Sequence, residues 1–171
     1  MSPPKRGEIY KIQIHEAESV GHELKGHHWY VVMSAEVVSR LCGLVLAVPL
    51  TSPEHKDTGK PKFSTPDYRT FIIRIPEDQR ITEPGEHNLT GDSLALVHQI
   101  RPLSLERFTN IRPSGRLTPL AISSVEGGMA YVLQIPPPGL HRSTTLASLK
   151  TQASQPQSAT SRPGLPPAKK P

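Results

Sequence analysis

The sequence predicts a mainly β fold: a small barrel of about five to seven strands, with a C-terminal helix and a disordered, proline-rich tail. Three observations predict it. Short β-branched and aromatic segments recur between turn residues through the first 135 positions. Hydrophobic residues make up only 35% of the chain. That is below the roughly 45–50% of a packed domain (a reference that also counts glycine) and argues against one large core. Finally, residues 136–171 hold eight prolines, no aromatic and no acid, too little apolar surface to offset the entropy of ordering.

Each element follows in order. GEIYKIQI sets Ile9, Ile12 and Ile14 among polar neighbours, as a half-buried strand does. HHWYVVMS is β-branched and aromatic, and LCGLVLAVPL is a continuous apolar run that suits a strand buried on both faces. Cys42, at the start of that run, reads as core. RTFIIRI, bounded by Pro66 and Pro76, is a fourth strand, and DSLALVHQI, opened by Thr90-Gly91-Asp92, is a fifth. A barrel removes most of the free edges that five short strands would otherwise expose. Leu103–Phe108 reads as one short helical turn. Thr118 to Leu133 reads as a helix, with Thr118 as N-cap and Pro119 at its first position. Leu120, Ile122, Val125, Met129, Val132 and Leu133 form its apolar stripe. Gly127-Gly128 in its middle costs about 2 kcal/mol against alanine, so packing must hold it. The division expected is a barrel domain over 1–135 and a tail over 136–171.

Charge and composition exclude several classes. The chain carries 20 Lys+Arg against 15 Asp+Glu, a net charge of +5. Arg142, Lys150, Arg162, Lys169 and Lys170 all lie in the tail, which leaves 15 basic and 15 acidic residues in 1–135. The excess charge is therefore no mark of a nucleic-acid-binding barrel. The tail reads as a solubilising appendage or as a weak electrostatic contact for RNA. No apolar run approaches the ~18–20 residues of a membrane helix. The opening MSPPKRGEIY lacks the apolar stretch of a secretory signal. One cysteine excludes an internal disulfide framework and a cysteine-clustered zinc site. These features suit a cytoplasmic protein with no membrane partner.

Three polar sets could carry chemistry. The first is Gly21-His22-Glu23-Leu24-Lys25-Gly26-His27-His28, a loop between strands with glycine hinges. Its imidazoles titrate near neutrality and can take and give protons. With Glu23 they could act as base and acid on a 2′-hydroxyl and a 5′-oxygen. The same segment also reads as a solvated polar loop, and it lacks an established metal-ligand spacing. The second set is Thr51-Ser52, two hydroxyls at the end of the buried strand that could hydrogen-bond a phosphate or simply make a turn. The third is Gly91-Asp92-Ser93 with His98, Gln99 and Arg101. Strand alternation places Leu96, His98 and Ile100 on one face and Gln99 and Arg101 on the other. His98 then reads as a partly buried structural histidine, and Arg101 as a partner for phosphate or for Glu23.

In this order, Arg6-Gly7-Glu8-Ile9-Tyr10, Gly21-His22-Glu23-Leu24-Lys25-Gly26, Val48-Pro49-Leu50-Thr51-Ser52, Leu89-Thr90-Gly91-Asp92-Ser93 and Gln99-Ile100-Arg101 resemble the MazF/PemK/Kid toxins of type II toxin–antitoxin systems. The resemblance covers roughly residues 5–134. It implies an SH3-like barrel, a homodimer, and endoribonuclease activity on single-stranded RNA (mRNA) that needs no metal or cofactor. It also implies inhibition by a cognate antitoxin and binding of operator DNA by the toxin–antitoxin complex. His22, Glu23 and Gly26 match the family's conspicuous loop, but the arginine–proline pair that follows is replaced by His28-Trp29. Thr51, Ser52, Gln99 and Arg101 match. The arginine and aspartate that the Kid branch carries on strand five are Leu96 and His98 here. On this basis the catalytic candidates are His28, Glu23, His22 and Thr51. His28 would donate to the phosphate where the arginine did, and His22 or Glu23 would serve as base. The substrate-binding candidates are Ser52, His27, Lys25, His98, Gln99 and Arg101. The alternative is an attenuated family member or SH3-like binding module that dimerises and binds antitoxin and operator DNA without cutting RNA.

Overall fold

In a computed structural model of the chain, the described residues are 2–55, 57–63, 70–82 and 89–136. The expected disordered tail therefore lies outside the described residues, except for Pro136. Among the described residues the elements run β1 (Glu8–Ile14), β2 (Gly26–Val32), α1 (Glu36–Cys42), β3 (Leu44–Thr51), β4 (Ile72–Ile75), β5 (Arg80–Thr82), β6 (Ser93–Leu96), β7 (Arg101–Ser104), β8 (Gly115–Leu117) and α2 (Pro119–Val132). Pairing is antiparallel throughout. The hydrogen-bonded order is β4–β6–β3–β2–β1–β8–β5, and β7 adds to β3 beside β6.

That order closes the barrel. Its end strands, β4 and β5, are neighbours in sequence, joined through a short 3₁₀ turn at Glu77–Gln79. So short a link cannot span an open sheet, so the sheet curls until its ends nearly meet. Side chains fasten the seam. Arg80 is buried; its Nη1 donates to Ser93 Oγ at 3.0 Å and its Nη2 donates to the Gly91 carbonyl. Asp92 accepts from Arg74 at 2.6 and 2.8 Å and from the Glu77 N–H at 3.1 Å. Glu77 accepts from the Gly91 N–H at 3.0 Å. The Gly91-Asp92-Ser93 segment thus serves closure of the barrel.

The apolar residues gather into two cores, as the modest hydrophobic content requires. Period-two alternation divides β1: Ile9 joins one core, while Tyr10, Ile12 and Ile14 join the other. The first core lies under α2, with Val31, Val48, Leu50, Val97 and Val125. The second holds Tyr30, Val32, Val45, Leu103 and Phe108, with Tyr10 and Phe108 edge to face at 5.1 Å. β3 contributes to both, which is why it reads as a continuous apolar run.

α2 begins as expected: Thr118 Oγ1 accepts from the Ala121 N–H at 3.3 Å, and Pro119 follows it. Gly128 is a packing residue, since a Cβ there would stand 3.0 Å from Ile73 Cγ1 and 3.2 Å from Val97 Cγ2. The apolar stripe is narrower than expected. Leu120 and Leu133 are exposed, while Ala121, Val125 and Gly128 face the core.

Three further elements differ from expectation. α1 takes the start of the long apolar run, so Cys42 is an exposed helix end and not core. Val37, Val38 and Leu41 face solvent on that helix, which hides its periodicity in the sequence. The fifth strand stops at Leu96, where a 3₁₀ turn over Val97–Gln99 breaks the alternation. Chain beyond it resumes as β7, so Leu103 and Ser104 are strand, and only Leu105–Phe108 makes the short helical turn.

Candidate active site

β2 and β3 pair Tyr30 with Pro49. Both residues line an open cavity of ≈ 550 Å³, which His22, Glu23, His98, Gln99 and Arg101 also line. The polar residues here fall into two walls, one that stands beside this lining and one that belongs to it.

The first wall is built on strands. His28 lies two residues before Tyr30 on β2 and shares its face, and Thr51 lies two residues beyond Pro49 on β3. Lys62 Nζ donates to Thr51 Oγ1 at 2.7 Å and to Ser52 Oγ at 2.9 Å. Ser52 in turn donates to the Glu54 carbonyl at 2.9 Å. With its oxygen occupied by lysine, Thr51 keeps its own hydrogen to donate. His28 is half-buried, and its Nε2 bonds the Lys25 carbonyl at 2.9 Å. A carbonyl only accepts, so Nε2 carries the hydrogen and Nδ1 of the neutral ring is an acceptor. Burial pushes the His28 pKa below its ordinary 6.5. The Lys25 carbonyl opposes this, and the charges of Lys62 and His27 add to it. A protonated donor at neutral pH is therefore the less favoured state of His28.

The second wall is a loop tied to the 3₁₀ turn. Gly21 and Gly26 have φ of +60° and +87°, a conformation that glycine adopts without strain. Between them, Gln99 holds the loop by its backbone: Oε1 accepts from the Leu24 N–H at 3.2 Å, and Nε2 donates to the His22 carbonyl at 3.4 Å. Glu23 Oε2 accepts from the Val20 N–H at 3.2 Å. Arg101 opens β7 at the cavity edge and has no carboxylate partner among the described residues. His98 is exposed where partial burial was expected, because the turn carries it out of the strand. Its ring lies edge-on to Phe71 at 5.3 Å, and burial lowers its pKa against an opposing hydrogen bond to the Phe71 backbone.

The cavity gathers His22, Glu23, His98, Gln99 and Arg101, and His28, Thr51 and Ser52 stand beside it. Two candidates fall elsewhere. Lys25 pairs with Glu16. His27 belongs to β2 and not to the loop, and alternation sends it to the face opposite His28. Among the described residues, no three His, Cys, Asp or Glu side chains gather as a metal site would need. Sequence reasoning missed Lys62 and Tyr30. Lys62 reaches Thr51 because a bridge between Glu54 and Pro61 folds the intervening chain back, and no local motif announces that. Tyr30 carries the signature of a core strand residue and no mark of the cavity.

Residues 5–133 match the family model described as the PemK-like, MazF-like toxin of type II toxin-antitoxin systems. The chain belongs to this toxin family. No curated protein matches it in sequence. Among solved structures it is similar to MazF (Form-I) of Deinococcus radiodurans, with a TM-score of 0.52 and 19% identity over 78% of this chain and 98% of that one. It is also similar to the Mycobacterium tuberculosis toxin MazF-mt6, with a TM-score of 0.50 and 11% identity over 75% and 98% of the two chains. A third similar structure is an endoribonuclease in complex with its cognate antitoxin from a mycobacterial species, with a TM-score of 0.46 and 19% identity over 78% and 97%. The first two share the fold. The stretch matched to the toxin family includes every residue of both walls. No helix among the described residues is long and apolar enough to cross a membrane.

Proposed function

We propose that this toxin-family chain is an endoribonuclease that cuts single-stranded RNA by attack of a 2′-hydroxyl, without a metal or cofactor. The observation that carries the reading is the cluster of His28, Thr51 and Lys62 beside a cavity edged by Arg101. The roles follow from the protonation of each group. Neutral His28 takes the 2′-hydroxyl proton on Nδ1, and the 2′-oxygen attacks phosphorus. The Lys62 ammonium and the Thr51 hydroxyl stabilise the charge that develops on the phosphate oxygens. The bond from phosphorus to the 5′-oxygen breaks, and His22 from the facing wall gives that oxygen its proton. The products are a 2′,3′-cyclic phosphate and a 5′-hydroxyl. Lys62 thus supplies the permanent charge that His28, standing where the family resemblance calls for arginine, does not. Glu23, Ser52, Gln99 and Arg101 hold or position the strand. Residues 1–135 carry the activity as a homodimer that a cognate antitoxin restrains, with operator DNA bound by that complex, and 136–171 is a separate tail.

A second reading is favoured by Leu96, which is buried in the barrel where the Kid branch places an acid–base residue. In it the chain dimerises and binds antitoxin and operator DNA without cutting. Labelled single-stranded RNA incubated in EDTA separates the two. The first reading expects cuts ending in 2′,3′-cyclic phosphate that a 2′-deoxy substitution at the cut site abolishes. Intact RNA at high protein concentration, from a chain that still binds antitoxin, supports the second.

A further inference from the structure

Tyr30 is an unexpected residue to find beneath the cavity. It has no solvent exposure, and its hydroxyl makes no hydrogen bond of good geometry. An unsatisfied buried hydroxyl costs about 1–3 kcal/mol. Phenylalanine would fill the same core position without that cost, so the hydroxyl calls for an explanation outside folding.

Its surroundings supply one. Burial raises the phenol pKa, while the guanidinium of Arg101, by its charge and as a donor to the phenol oxygen, and then the charge of Arg107 favour the charged form. Arg107 is engaged elsewhere, donating to the Gln13 carbonyl at 3.0 Å and to Glu18 Oε2 at 2.6 Å. Arg101 has no carboxylate partner among the described residues and, like Tyr30, lines the cavity. The phenol oxygen can accept from the Arg101 guanidinium, but the hydroxyl hydrogen has no acceptor at this wall among the described residues. Gln99, which lines the same cavity, has its carbonyl oxygen on the Leu24 N–H. The acceptor must come from a ligand, and two donors with one permanent positive charge select an anionic oxygen.

We propose that Tyr30 and Arg101 form an anion subsite that takes a phosphodiester oxygen of the bound strand next to the phosphate being cut. This rests on the RNA-cleaving reading above. Tyr30 and His28 lie on one face of β2, two residues and about 6.6 Å apart along the strand. That is of the order of the separation between neighbouring phosphates on an extended single strand. The hydroxyl is closed off from solvent, so the incoming oxygen reaches it as the Arg101 side chain shifts to grip the same phosphate. The subsite sets affinity and register of the strand, and the proton transfers stay with His28 and His22.

The test is Tyr30→Phe in the full chain. It is measured by thermal unfolding and by fluorescence anisotropy with a 2′-fluoro RNA of mixed sequence, which cannot cyclise. The expected result is an unchanged or raised Tm together with affinity weaker by about tenfold or more, the size of a hydrogen bond to a charged group. In an Arg101→Gln background the same change should cost less than about threefold, because the two residues hold one oxygen. Native affinity in Tyr30→Phe overturns the proposal, as does full additivity in the double variant. Absence of RNA binding by the native chain overturns the RNA reading and the subsite together. Binding by the native chain with no loss in Tyr30→Phe removes the subsite alone. If Tyr30→Phe does not fold, carbon-13 at Cζ of the four tyrosines in the native chain carries the test. A shift of the Tyr30 resonance on RNA binding supports the subsite, and binding that leaves all four unmoved overturns it.

Discussion

The strand wall beside the cavity and the loop wall that lines it are built from different material. On the strand wall, Lys62 joins Thr51 and Ser52, Ser52 reaches Glu54, and His28 is fixed on the Lys25 carbonyl. His28 and Thr51 sit on paired strands, and Lys62 comes to Thr51 from the chain reversal that follows β3. On the loop wall the hydrogen bonds run from Gln99 to the loop's backbone, which leaves the imidazole of His22 without such an anchor among the described residues. Two left-handed glycines bound that loop. The difference separates the base and the groups that stabilise the phosphate from an adjustable loop that carries the proton donor, His22, and meets the RNA strand. The former need positions held to fractions of an ångström, which strands provide. A flexible polymer is better met by a loop that can adjust.

The comparison is tested most severely at His28. His28→Ala should lower RNA cleavage by about 10²-fold or more, with affinity for uncleavable RNA little changed. The pH profile then decides its role. Its pKa lies below 6.5, with burial the main cause. As a base, His28 works deprotonated, so activity should climb as pH rises through that lowered pKa. As a phosphate-bound acid it would work protonated, and activity would fall over the same range. His28→Arg sharpens the result. It should be inactive if His28 is the base, and more active than the native chain if the site is a decayed arginine site.

How far the sequence shows these walls follows from how local each one is. The loop wall is largely legible, because His22, Glu23, Gly21 and Gly26 are contiguous and the glycines bound the loop. The barrel is legible from its strands, and α2 from Thr118-Pro119. Lys62 is illegible, because it reaches Thr51 only through a chain reversal. His27 and His28 read as equivalent members of a loop until β2 formation sends them to opposite faces. Leu96 and His98 lose their shared face because a 3₁₀ turn, which leaves no periodicity signal, replaces the strand. α1 is hidden because the valines and leucine it exposes look like more of β3.

Gln99→Ala should affect the loop wall alone. It removes one acceptor and one donor that together hold the loop to the turn before β7. At about 1 kcal/mol for each of the two hydrogen bonds, KM should rise by roughly thirtyfold. The maximal rate should fall as well, because His22, the proposed proton donor, rides on the same loop. A variant that lost affinity with the maximal rate unchanged would take His22 out of the proton transfer and leave the loop with recognition alone.

Acid should separate the walls from the frame that carries them. The Arg74 guanidinium, then the Glu77 N–H, hold the Asp92 carboxyl below its ordinary value of 3.8. Its contribution to stability is therefore complete above that value and lost as pH falls through the lowered one. Unfolding temperatures should hold steady from pH 7 to about 5 and then decline in stronger acid, with Asp92→Asn flattening part of the decline. Activity lost above pH 5 with no change in Tm then belongs to the His28 wall. A parallel fall in both would place the titration in the barrel seam.

The smallest effects are expected at two residues that the loop motif offers and the fold withdraws. His27 lies on the exposed part of the β2 face opposite His28, and Lys25 directs its ammonium to Glu16. What His28 needs from Lys25 is a backbone carbonyl, which Lys25→Ala retains. An exposed ion pair such as Lys25–Glu16 contributes about 0–1 kcal/mol, so its loss should leave the loop in place. His27→Ala removes one of the charges that lower the His28 pKa, and that change would move the lower limb of the pH profile slightly toward 6.5. Both variants should cleave within about threefold of the native chain at neutral pH, a change of under about 1 kcal/mol. A loss of tenfold or more in Lys25→Ala would place a third, exposed cation on the path of the RNA. The loop itself would then add charge to that of Arg101, and the contrast between the walls would be one of rigidity alone.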